Sequence, residues 1–503
     1  MTATAVGPGA TGATLFDTSD PNIAPRRPGY ILRPMQSTDE LQAAADAAVL
    51  RSGGRGALGP IEKGAKILVV TSEDQDDEIF EVLERAMRDT AGAASVRKLL
   101  WSELGVPTGS FSAADGWREL SEEHVETVIE AGERVEQDAL IRFLEKEPDF
   151  TAIYGGDAGE GHFKVALGEV FKANWMYRKR EDLFARYTNF PAQLQRLLER
   201  RLIAMFGRAE AVRITDPEGT DISWEVTPEE ADLWMRGSWI PWHIIGTTIE
   251  AVRFAQVRPG FGGTREGSLP KFAPIAARHY PTINGVVAGT ANHTGFFPRV
   301  EVHIEGGRVV DVKGDSEYAR RFRDIVQRYK DVQYPSYPGP GYGWINDATI
   351  GSNAKTFRAM ETLWETAVPW YGSGNERYRA GVVHFGFGAE HDDPEFIKFG
   401  RENQVPVKHI AHVHAYFPTY EIKDRDTGEW FKVIDRGRLT VLDDPVVRRV
   451  ASLIADPDVL LAYDWIPAIP GINHPGNYER DYAPDPVPWI RRDVEGEFAN
   501  AIP

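Results

Sequence analysis

The sequence predicts an α/β protein in two main parts: an N-terminal α/β layered domain over residues 46–210, then a β-rich α+β domain over 211–438. Two patterns and the chain length predict it. In the first part short apolar runs alternate with helical patterns, as in KILVVTSED followed by DEIFEVLERAMRDTAG. A buried strand feeding a helix is the usual unit of an α/β layer. Beyond AVRITDPEGTDISWEV, glycines and turn dipeptides multiply and alternating stretches such as VEVHIEGGRVVDVKG take over. That texture reads as antiparallel strands, here with a hairpin turn at Gly306-Gly307. At 503 residues the chain is long enough to bury more than one core.

Taken in order, residues 1–45 are rich in Ala, Gly, Thr and Pro and read as a flexible or surface-draped arm, with DELQAAADAAVLRSG a first helix at its end. The strand-then-helix pattern recurs with SVRKLLW, a long helical span from Glu122 to Lys146, and FTAIYGG. GGDAGEGHF lacks the spacing of a phosphate loop and carries two acids that repel phosphate, so it reads as a strand-to-helix turn. The amphipathic QLQRLLERRLIAMF closes the first part. In the second part His303 sits at an alternating hairpin position and reads as solvent-facing or cross-strand. The segment 439–503 holds one helix, DPVVRRVASLIA, then a Pro- and Trp-rich coil that reads as an extension wrapping the body or a neighbouring subunit.

Composition excludes several classes of function. The formal net charge is −18, which disfavours nucleic acid and anionic membranes as partners, since both attract clustered Lys and Arg. With no cysteine there is no disulfide, thiolate ligand, iron–sulfur cluster or Cys nucleophile. No apolar run is long enough to span a bilayer, and the first residues lack a basic region followed by an apolar one, so a cytoplasmic protein is expected.

The chemistry concentrates between Gly341 and Tyr420. In HVHAYF, His412 and His414 lie two apart, which on a strand puts both imidazoles on one face. They read either as a satisfied polar pair or as two ligands of one divalent ion. Asp347 in WINDATIG reads either as turn chemistry or as a third, anionic ligand. Two His and one carboxylate form the ligand set of non-haem Fe(II) oxygenases, with other positions open. His384 in VVHFGFG reads as a core histidine, a ligand or an acid/base residue, whereas His391 in GAEHDDP reads as solvated. Glu225, just beyond TDISW, reads as an exposed strand residue or as a group orienting a substrate or ligand. Trp224, Trp234, Trp239 and Trp242 read as core or contact residues, or as walls of a pocket for a flat substrate. The dense GSWIPWHII run reads as buried, with His243 structural.

The order TDPEGTDISWEV, INGVVAG, FFPRVEVHIEGGRVVDVKGD, INDATIGSNAK and HVHAYF resembles the aminopeptidase T-like metallopeptidases and their relative, 2,5-dihydroxypyridine 5,6-dioxygenase, over Ala211–Tyr420. The resemblance implies a metal enzyme that assembles as a homo-oligomer. Where the peptidases carry a Glu and the dioxygenase a His, this chain has Asp347. Where both carry a His-x-Asp pair, it has His412 and His414. Relative to the dioxygenase, the carboxylate and one imidazole have traded places, preserving the total that a single Fe(II) requires. The peptidases' first ligand, a Glu ahead of the NGVV segment, has no counterpart in LPKFAPIAARHYPTINGVV unless His279 or His384 compensates. The expectation is a mononuclear non-haem iron dioxygenase acting with dioxygen on a small hydroxylated aromatic or N-heteroaromatic ring. Asp347, His412 and His414 would be its ligands, His384 and Glu225 its catalytic groups, and Fe(II) its metal, with Zn(II) or Mn(II) as alternatives. A metal-dependent aminopeptidase or amidase-like hydrolase is the second expectation, and a catalytically silent binding or assembly protein a third.

Overall fold

The structure is a computed structural model that describes residues 38–50, 58–59, 61–73, 75–105, 116–131, 135–155, 171–175, 177–184, 186, 189–229, 231, 246–248, 280–335, 337–356, 373–390, 394–494 and 497–498. The expected GGDAGEGHF turn beyond Gly155, the GSWIPWHII run with Trp234, Trp239, Trp242 and His243, and also His279 and His391 lie outside the described residues.

Strands β1 (Lys66–Thr71), β2 (Ser95–Leu100), β3 (Ala152–Gly155) and β4 (Phe171–Asn174) form a parallel sheet in the order β2-β1-β3-β4. Every residue of β1 after Lys66 is buried, as a strand covered on both faces requires. Helix α1 (Thr38–Leu50) and helix α2 (Asp77–Arg85), the latter capped by the Asp76 carboxylate, share one core with β1 through Leu41, Ala45, Ile79 and Leu83. The first helix therefore starts within the stretch expected to be an arm, because its apolar residues have a sheet to cover. Residues 1–37 lie outside the described residues.

The expected span from Glu122 to Lys146 is two helices, α3 (Glu122–Ala131) and α4 (Val135–Lys146). They serve different cores. Ala139 and Leu140 of α4 pack with Leu68 and Val70 of the first sheet. Val125 and Val128 of α3 belong instead to the large second core, as do Leu120 and the stripe Leu194, Leu198 and Leu202 of α6 (Ala192–Phe206). Between these, α5 (Arg180–Phe184) returns to the first core. The layered unit expected over 46–210 thus lends two of its segments to the second core. A helical stripe at i, i+4, i+8 declares that a face is buried but not which sheet buries it.

The second sheet has eight strands: β5 (Ala209–Thr215), β6 (Asp221–Glu225), β8 (Asn284–Ala291), β9 (Phe296–Glu305), β10 (Arg308–Lys313), β14 (Thr419–Asp424), β15 (Trp430–Asp435) and β16 (Arg438–Leu439). They run antiparallel in the order β10-β9-β8-β6-β5-β14-β15-β16. The hairpin between β9 and β10 turns where the sequence puts it, with Gly306 and Gly307 at φ 56° and 77°. His303 is half-buried there beside Glu301, with Nε2 and Oε2 3.1 Å apart. Trp224 is core, packed edge-on against Tyr420. Among the described residues no helix is long and apolar enough to cross a membrane.

The β5–β6 turn, DPEGT, ties three parts of the chain together. Asp216 accepts the Glu218 N–H at 2.8 Å and the Phe417 N–H at 2.9 Å. Glu218 Oε1 accepts from the Thr290 hydroxyl at 3.0 Å and the Tyr478 hydroxyl at 2.8 Å. Burial, helped by the charge of Asp216, pushes the Glu218 carboxyl up to about 8. An unfolded Glu ionises near 4.5, so between these values the folded state holds more protons and stability falls as pH rises, by about 1.4 kcal/mol per pH unit at most. Glu218→Gln, neutral at every pH, is expected to flatten that decline between pH 5 and 8 in urea unfolding followed against pH. A slope equal to wild type would contradict this assignment.

The C-terminal extension packs on the body. Trp465, Tyr482, Trp489 and Ile490 form a satellite core with Ala291, Phe296, Tyr416 and Phe417. Asp464 anchors it, pairing with Lys355 at 2.9 Å and Arg186 at 3.4 Å, all three side chains being at most 2% exposed.

Candidate metal centre

Four short strands make the third sheet, in the order β13-β12-β11-β7: β7 (Gly246–Thr248), β11 (Ile345–Ile350), β12 (Val383–Phe387) and β13 (Ala411–Ala415). VHFGF and AHVHA are buried at every position. Their polar members are therefore histidines held inside the protein, not residues of a solvated face. The antiparallel register sets His384 opposite His414 and Gly386 opposite His412. Directly opposed residues share a face, and so do residues two apart on one strand, so His384, His412 and His414 all project to one side.

The next strand extends both rows, with Thr349 opposite His384 and Asp347 opposite Gly386. Asp347 is thus a strand residue, not a turn residue, and its backbone stands in the row of Gly386 and His412. Its side chain lies outside what the structure describes. Glycine at 386 puts no side chain between positions 347 and 412.

A fourth imidazole that the sequence reading missed completes the cluster. His293 sits in the Asn292–Gly295 turn between β8 and β9, where the Asn292 side chain accepts from the N–H groups of Thr294 and Gly295 at 2.9 and 3.0 Å. Its ring stacks on His412 with centroids 3.8 Å apart, and lies 5.0 Å from His384 and 5.3 Å from His414. His384 is 6.2 Å from both His412 and His414. Arg377 places Nη1 3.0 and 3.1 Å from the two ring nitrogens of His293. On the outer side His409, paired with Glu390, lies 4.9 Å from His412.

The two histidines of β13 differ in their partners. His414 is wholly buried, and neither of its ring nitrogens meets a hydrogen-bond partner among the described residues. His412 has Nδ1 3.1 Å from Oε2 of Glu119, a buried carboxylate on the 3₁₀ helix Gly116–Leu120. Burial holds both imidazoles well below the ordinary histidine range. Neighbouring His and Arg groups add to it, His293 first for His412 and His384 first for His414. Burial also pushes the Glu119 carboxyl up, opposed by hydrogen bonds from the His412 N–H, Tyr318 and Asn292.

Two neutral imidazoles, one of them with no partner for either nitrogen among the described residues, fit a metal site, because a buried polar atom left unsatisfied is costly unless a ligand claims it. Among the described residues no group of three or more His, Asp or Glu is gathered to hold a metal ion. The third ligand that the sequence leads us to expect, the Asp347 carboxylate, is not among the side chains described. Glu225 stands apart from the site. Its side chain is exposed at the end of β6, opposite Ala211, with its backbone N–H bonded to Thr282.

No family model matches the sequence, and no curated protein matches it. The chain is similar to several solved structures, two of which follow. One is 2,5-dihydroxypyridine dioxygenase from Pseudomonas putida KT2440, at 10% identity and a TM-score of 0.40, covering 80% of this chain and 98% of that one. The other is wild-type AmpT from Thermus thermophilus, at 14% identity and a TM-score of 0.38, covering 79% of this chain and 98% of that one. Likeness at this level leaves the reaction to be read from the side chains.

Proposed function

We propose that the protein is a mononuclear non-haem iron dioxygenase acting on a small hydroxylated aromatic or N-heteroaromatic ring. The observation that carries the reading is the His412/His414 pair: two buried, neutral imidazoles on one face, in a sheet whose next-but-one strand brings Asp347 into the row of His412. These three residues would hold the ion. Bound there, Fe(II) would supply open positions for a substrate oxygen and for dioxygen.

The chain's own groups do the remaining work. His384 faces the same side of the sheet as the pair and is the group placed to take a proton from a ring hydroxyl. Arg377 and His293 bring positive and polar character to the same space, which favours an electron-rich, ionisable substrate over a neutral amide. His384 and His414 are fully buried and His412 nearly so, which keeps bulk water away from their rings. Glu225, exposed on β6, has no part in this reading.

Metal analysis with oxygen uptake tests the proposal. Protein purified without oxygen is expected to carry about one iron per chain and to consume oxygen with dihydroxylated pyridines or benzenes. His412→Ala is expected to lose metal and activity together. Two zinc, cobalt or manganese ions per chain with amide turnover would establish the hydrolase instead. No bound metal after anaerobic reconstitution would leave a binding or assembly protein.

A further inference from the structure

We infer that Glu119 is a positioning residue for His412, fixing which nitrogen of that imidazole is free to bind a metal. The inference rests on the metal-holding role proposed above for His412. The carboxylate grips the residue at two points: Oε1 accepts the His412 backbone N–H at 2.7 Å, and Oε2 lies 3.1 Å from Nδ1. In its ionised form, which the bonds from the His412 N–H and the Tyr318 hydroxyl favour against the cost of burial, Glu119 accepts from Nδ1–H and leaves the lone pair on Nε2. The tautomer and the ring angle are both set before any ion arrives. Metal-bound histidines ordinarily have such a partner on their second nitrogen.

The rest of the local structure holds Glu119 still. The Tyr318 hydroxyl, on helix α7 (Glu317–Arg328), donates to Oε1 at 2.9 Å and lies 2.7 Å from the His412 carbonyl oxygen. The 3₁₀ helix that carries Glu119 is pinned through the Gly116 carbonyl, which accepts from Asn292 at 2.6 Å and Thr294 at 3.2 Å. Gly116 itself has no room for a side chain, since a Cβ there would lie 2.8 Å from the Phe296 carbonyl oxygen. The same five-residue helix thus fixes both His412 and the turn bearing His293. Glu119 is 1% exposed and is ion-paired with no Lys or Arg among the described residues. Its burial follows from His412, Tyr318 and Asn292, not from a salt bridge that would have formed anywhere.

The test compares wild type with Glu119→Gln, with Glu122→Gln as an exposed control from the same segment. Two quantities are read: the His412 tautomer in the metal-free protein, by nitrogen-15 NMR, and the Kd for Co(II) or anaerobic Fe(II), by chelator competition. Wild type and Glu122→Gln are expected to show the proton on Nδ1. Glu119→Gln is expected to lose that preference and to bind metal about 10- to 100-fold more weakly. An unchanged tautomer with a Kd within about twofold of wild type would overturn the inference. Should wild type bind neither metal, the proposed function fails, while the tautomer comparison still decides the role of Glu119. Should Glu119→Gln not fold, Tyr318→Phe removes only the hydroxyl that shares Oε1. It is expected to weaken metal binding in the same direction, and unchanged binding would count against the inference.

Discussion

His414→Leu is expected to abolish metal binding while making the metal-free protein more stable. The imidazole lies in a fully buried strand with neither nitrogen hydrogen-bonded among the described residues, and an unsatisfied buried polar group costs about 1–3 kcal/mol. An apolar side chain of similar size removes that cost, so the metal-free variant should unfold at higher urea than the metal-free wild type. The order reverses when metal is present. An ion at a thousand times its Kd adds about 4 kcal/mol to a protein that binds it only when folded, and the variant cannot draw on this. Urea midpoints measured with and without metal should therefore cross. A variant that is less stable in both conditions, or that keeps its metal, would show that His414 is an ordinary core residue.

The second large effect lies away from the site. Asp464→Asn is expected to destabilise the protein by about 3–5 kcal/mol, because it takes the carboxylate away from the buried Lys355 ammonium and weakens the contact to buried Arg186. Lys355 also donates to the carbonyls of Val459 and Ala462 at 2.6 and 2.7 Å, so its ammonium cannot swing out to water. The three charges come from three distant parts of the chain, so their loss should loosen the C-terminal extension first. Replacing all three by apolar residues, Arg186→Met, Lys355→Met and Asp464→Leu, should recover most of the loss, since buried ion pairs seldom outweigh well-packed apolar substitutes. Thermal unfolding decides. A single Asp464→Asn variant as stable as wild type would mean that the cluster is not the anchor.

Some of this was legible in the residue pattern and some was not, for physical reasons. His412 and His414 were legible because strand geometry converts a spacing of two into a shared face. The Gly306-Gly307 hairpin was legible because positive φ selects glycine. Asp347 was ambiguous because Asn-Asp ahead of Gly-Ser-Asn also suits a turn, and only pairing with β12 places it on a strand. His293 gave no signal, being a single imidazole in a polar turn whose partners lie some 90 to 120 residues further along the chain. Glu119 gave none either. It is one acid among several in GWRELSEEH, and its burial depends on a strand 293 residues away. Helix α6 showed its apolar stripe in the sequence, but the stripe did not say that the second core would receive it.

The most direct measurement is anomalous scattering from crystals of the anaerobically reconstituted protein, recorded on both sides of the iron edge. The account predicts one iron peak per chain, at coordination distance from the Asp347 carboxylate and from one ring nitrogen each of His412 and His414. An empty cluster, two metal peaks, or an ion held by other residues would contradict it.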